Sequence, residues 1–98
     1  MKAVIDGAVY NTETATKIAF FSKEFGADEF RHIEESLYMT KSGRFFLAGG
    51  GGPMTRYSHP VGDKQAGGSG IVVLTPDEAR HWCETHGVDM ETIARHLK

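Results

Sequence analysis

Apolar and polar residues alternate along residues 33–40. Ile33, Glu35, Leu37 and Met39 fall on one side, and Glu34, Ser36, Tyr38 and Thr40 on the other. A period of two is the strand period. Lys41-Ser42-Gly43 interrupts it, and Gly43 suits the positive φ of a short hairpin loop built on a type I turn and a bulge. Arg44-Phe45-Phe46-Leu47-Ala48 follows, rich in aromatic residues that fit a pleated surface. The connection is too short for a parallel crossover, so the two predicted strands pair antiparallel. Ile33, Leu37 and Met39 are expected to face the core. Tyr38 or Phe46 then lies on the opposite face, which is expected to be partly covered too. This hairpin and the glycines that end it, residues 30–57, are the centre of the predicted fold.

The flanks carry shorter patterns. Residues 2–5 and 8–10 are strand-like around Asp6-Gly7, a strong two-residue hairpin turn. Asn11 or Thr12 is expected to cap a short helix with Ala15, Ile18 and Ala19 as its apolar stripe. Phe20, Phe21 and Phe25 read as an aromatic connection, and Gly26-Ala27-Asp28 as a turn. After the hairpin, Gly49 to Gly52 form an unbroken tetraglycine closed by Pro53. Such a run is costly to order, and marks either a flexible hinge or a close backbone approach. Residues 54–57 suggest a short strand, and residues 59–63 turns. Residues 64–70 suggest a mobile polar loop. Ile71-Val72-Val73-Leu74 is apolar on both faces and is expected inside the sheet.

Thr75-Pro76-Asp77-Glu78 is the clearest local signal. Thr75 is an N-cap, Pro76 takes the first helical position, and Glu78 completes a capping box. The helix is expected to bury Ala79, Trp82 and Cys83 and to end at Gly87. Asp89 is expected to cap a last short helix that buries Met90, Ile93, Ala94 and Leu97. The pattern predicts one α+β domain over residues 1–98. It contains a small antiparallel sheet of four to five strands, with two or three short helices packed on one side.

Composition narrows the function classes. The chain has 98 residues, 40% of them hydrophobic and 24% charged, with a formal net charge of −2. This is ordinary for a globular domain and gives no basic footprint for nucleic acid. A single cysteine excludes an intramolecular disulfide and fits a reducing cytoplasm. No apolar run reaches the roughly 20 residues that span a bilayer, so no membrane partner is expected.

Residue clusters that carry chemistry are scarce. His81, Cys83 and His86 share a predicted helix, but zinc needs three or four converging ligands and only Cys83 and His86 share a face. The glycine run lacks the lysine and hydroxyl of a P-loop and the spacing of a dinucleotide fingerprint. Glu34 and Glu35 point to opposite faces and cannot pair as catalytic carboxylates. No catalytic residue, metal or cofactor is expected. Arg56, Tyr57 and His59 cluster after the glycines, in the manner of a binding hot spot.

Four strings occur in order along most of the chain: YNTETA (10–15), EESLYMTKSGRFFL (34–47), GGPMTRY (51–57) and LTPDEARHW (74–82). On these the chain resembles a family of small single-domain bacterial proteins of uncharacterised function, often carried on phages and other mobile elements. In size and setting that family is similar to anti-CRISPR proteins. The resemblance implies a non-enzymatic protein that binds and blocks a large nucleoprotein, such as a CRISPR effector complex. Glu13, Glu24, Asp28, Glu29, Glu34 and Glu35 offer acidic groups that, clustered, would compete for a basic groove. The alternative is a nucleic-acid-binding accessory or regulatory protein. In that reading Lys41, Arg44, Arg56 and Lys64 contact the backbone and Tyr57 or Phe46 stacks on bases. Glu34, Glu35, Arg44, Arg56, Tyr57 and His59 are therefore the candidate binding residues. A homodimer through an exposed sheet edge is also compatible with the sequence.

Overall fold

A computed structural model describes residues 1–25 and 28–97, with side chains outside 24–29. Its centre is a four-stranded antiparallel sheet in the order β3-β4-β5-β8. The strands are β3 (Thr16–Phe25), β4 (Asp28–Met39), β5 (Phe45–Gly51) and β8 (Gly68–Leu74). Two separate hairpins flank it: β1 (Lys2–Ile5) with β2 (Ala8–Asn11), and β6 (His59–Val61) with β7 (Lys64–Ala66). Two helices follow, α1 (Pro76–Thr85) and α2 (Met90–His96). The α+β class stands, with more strands than expected and no third helix among the described residues.

The central hairpin forms as its alternation dictates. Leu37 lies opposite Leu47, and Met39 opposite Phe45. The turn closes with Gly43 donating to the Thr40 carbonyl at 3.0 Å and Thr40 to that of Arg44 at 2.8 Å. Leu37, Phe45, Leu47 and Leu74 line one face of the sheet and pack with Ala79, Trp82 and Cys83 of α1 and with Ile93 and Leu97. On the opposite face the Tyr38 ring stacks on Phe46 at 5.2 Å, and Tyr10 of β2 meets Phe46 edge-on at 5.5 Å. The first hairpin thus covers this face around Phe46, while Phe20 and Val73 on the same face stay exposed.

Several expectations are corrected. No helix follows Asn11. Asn11 ends β2, its side chain accepts from the Glu13 amide at 2.9 Å, and the turn leads straight into β3. Phe20, Phe21 and Phe25 belong to that strand rather than to a connection. The turn expected at Gly26-Ala27 lies outside the described residues. The tetraglycine is not a hinge, because Gly49, Gly50 and Gly51 pair with both β4 and β8. Residues 54–57 turn instead of extending. Gly62-Asp63 is a turn as expected, but it joins β6 to β7, and β7 and the start of β8 stand where a mobile loop was expected over residues 64–70. β8 is an edge strand, not an interior one.

The C-terminal signals are met more closely. Thr75 caps α1 and Glu78 completes the capping box. Gly87 adopts φ +70° beyond the helix. Asp89 caps α2, and its carboxylate accepts from the Thr92 amide at 2.7 Å. In α2 only Ile93 is buried, with Leu97 just beyond it, while Met90 and Ala94 face solvent. No helix among the described residues is long and apolar enough to cross a membrane.

Candidate functional site around Glu35 and Arg56

Glu35 occupies a core-facing position of β4 in the row that runs from Phe21 through Glu35 and Gly49 to Gly70. The two glycines place no side chain on the helix-side face beside the carboxylate. The loop at residues 52–58 approaches there, tied down by bonds from the Gly52 amide to the His32 carbonyl and from Met54 to Phe30, each 2.8 Å. Thr55 folds the loop back by donating its hydroxyl to the Gly52 carbonyl at 2.8 Å. Its oxygen accepts from the Tyr57 amide at 3.2 Å. Tyr57 and Arg56 are thereby aimed at the sheet.

The result is a buried carboxylate with two hydrogen-bond donors and one ion-pair partner. Glu35 is only 2% exposed. Its Oε2 accepts from the Tyr57 hydroxyl at 2.7 Å and its Oε1 from the Trp82 indole N–H at 3.0 Å. Arg56 Nε stands 3.4 Å from Oε2, with its side chain 46% exposed. A buried charge is tolerable only when paired and hydrogen-bonded in this way. Burial, together with the bond to Glu35, holds the Tyr57 hydroxyl well above its ordinary pKa. His86 stacks on Phe21 at 3.7 Å and meets Trp82 edge-on at 4.8 Å. Burial holds its imidazole below the usual histidine range.

Two openings flank the cluster. One is a cleft of ≈ 570 Å³ whose lining includes Arg56, Asp77, Glu78, His81, Trp82 and His86. The other is a groove of ≈ 400 Å³ between residues 56–59 and Gly68 to Val72 of β8.

The candidate binding residues do not form one surface. Arg56, Tyr57 and His59 come together as expected, but Tyr57 is buried and holds Glu35. Glu35 is an interior group and cannot belong to an acidic surface. Glu34 is exposed on the opposite face, beside Phe20 and Tyr38 in a shallow trough. Arg44 is exposed next to the hairpin turn. The side chains of Glu24, Asp28 and Glu29 lie outside the described residues. Phe46 is fully buried and Tyr57 nearly so, so neither can stack on a base.

Among the described residues no three His, Cys, Asp or Glu side chains converge as metal ligands. Cys83 is buried in the core, where burial raises its thiol pKa, while His81 faces solvent. The sequence places Trp82 in the core but does not reveal it as a donor to Glu35. The signal was present, since an acid on the apolar side of a strand must find donors from elsewhere in the chain. Comparison with protein-family models, with curated proteins and with solved structures finds no match to this chain.

Proposed function

We propose that this chain is a small non-enzymatic interaction protein that acts by occupying the surface of a protein partner. The case implied by its resemblance is an inhibitor that binds and blocks a CRISPR effector complex. The observation that carries the reading is a set of large apolar side chains held out to solvent by regular strands. Val4 and Val9 stand directly opposite one another in the first hairpin, 65% and 53% exposed. Tyr10 points from β2 to Phe46, so its neighbour Val9 faces away from the sheet. Phe20 on β3 is 56% exposed. An exposed apolar pair of this kind adds nothing to the core and leaves apolar surface open to a partner. The Glu35 cluster supports the same reading from the other side, because both carboxylate oxygens already engage donors of their own chain.

The test is to add purified protein to a purified effector complex and follow cleavage of its target. Inhibition that saturates near one protein per complex is expected. A Val9→Arg variant, altered only at an outward position, should keep its thermal midpoint and inhibit at least about tenfold less. Absence of both inhibition and a stable complex with effectors from the host would overturn the reading. Recovery of nucleic acid alone, lost as salt rises, would establish the accessory role instead.

A further inference from the structure

The central sheet has two edges of unlike character. β3 carries Lys17 and Lys23, and its pairing with β4 slips between Lys17 and Ala19 and again between Lys23 and Phe25. Lysines and bulges are the devices that keep an edge from pairing with another chain. β8 has neither. Its seven residues, Gly-Ser-Gly-Ile-Val-Val-Leu, contain no charge and no proline. Its register against β5 is unbroken from Gly68 opposite Gly51 to Leu74 opposite Phe45. No described strand pairs with its outer side.

The ≈ 400 Å³ groove lies along this edge, between Gly68 to Val72 and the loop that carries Arg56 and His59. Its floor is open at Gly70, where an added Cβ would meet nothing within 4 Å. Among the described residues, Arg56 and His59 line it and no carboxylate does. The Glu35 carboxylate that neutralises part of the Arg56 charge is buried beneath, with Tyr57 and Trp82 as its other partners.

We propose that β8 is a strand-addition site, at which an extended acidic segment of a protein partner pairs as a fifth strand. Backbone pairing with the edge supplies affinity, and the groove takes the alternate side chains that face the helices. Arg56 favours a carboxylate there. This goes beyond the inhibitor reading and stands on a different element from Val4 and Val9. Loss of effector inhibition would leave it intact, and its own failure would leave the inhibitor reading intact.

The probe is a capped peptide of about ten residues, a usual strand length, alternating valine and glutamate. A lysine-for-glutamate version serves as its control. Titrated into the isotope-labelled full chain, the acidic peptide should shift the amides of residues 68–74 saturably. The lysine peptide should bind at least about tenfold more weakly. Gly70→Val places a side chain in the open floor of the groove. It should keep or raise the thermal midpoint, because valine suits a strand, and should abolish the shifts. Shifts confined to β3, equal binding of both peptides, or no binding would each overturn the proposal. So would a concentration-dependent dimer of the chain alone that protects the β8 amides, since a second copy would then fill the edge. The two-peptide comparison on the unaltered chain decides the matter even if the variant fails to fold.

Discussion

Adjacent glutamates at 34 and 35 have opposite fates because a strand sends neighbours to opposite faces. Glu34 meets water, while Glu35 meets a phenol, an indole and a guanidinium. Glu35→Ala would strand those donors, two of them in the interior. It is expected to lower the unfolding free energy by about 3 kcal/mol, read from urea denaturation. A change well under 1 kcal/mol would mean that water replaces the carboxylate. Tyr57 adds a dependence on pH. Its hydroxyl is held above the ordinary value of about 10, so the unfolded chain releases that proton first. The stability it contributes is whole below about pH 10 and falls as the pH rises further. Tyr57→Phe should flatten this alkaline loss, and the tyrosinate absorbance that the substitution removes should appear in the unaltered chain only on unfolding. Identical alkaline slopes for the two proteins would refute the assignment. Alternation had already placed Glu35 on the side of Ile33, Leu37 and Met39. What it did not carry was the identity of the partners, which lie 22 and 47 residues away in Tyr57 and Trp82.

Among the elements, β3 shows why periodicity misleads. Ala15, Ile18 and Ala19 have helical spacing, yet Thr16–Phe25 is a strand. The pairing slips between Lys17 and Ala19, so Ile18 and its neighbour Ala19 both pack against the core, with Phe21 two further on. A bulge shifts the period of two by one residue and imitates a helix stripe over so short a window. Helix α1 was legible because its signals are local: Thr75, Pro76 and Glu78 act on backbone within one turn. The glycine run was half legible, since its close backbone approaches are seen only once three strands are side by side. A Cβ on Gly49 would press on the Glu34 carbonyl oxygen and lie 3.0 Å from Glu35 Cα, both backbone atoms of the neighbouring strand. Gly49→Ala should therefore cost at least about 2 kcal/mol in chemical denaturation. Gly70→Ala, facing open space in the same row, serves as its neutral partner. Equal midpoints for the two would show that β4 and β5 separate easily.

At the scale of the whole molecule, the sheet has a layer on each side: helices over Leu37 and Leu47, and the first hairpin over Phe46. The presence of both layers could be inferred from aromatic residues on successive positions of the hairpin. The strand order could not, because the apolar run of Ile71 to Leu74 looks alike at an edge or in the middle. Both side-chain donors to Glu35 also lie later in the chain than the strand that carries it. Pairings over 22 and 47 residues close large loops, which is entropically costly and slows folding. During synthesis β4 and β5 emerge well before Trp82, so the carboxylate waits without its indole. The native arrangement around Glu35 is completed only when α1 has left the ribosome, and the last quarter of the chain decides when the sheet becomes dry.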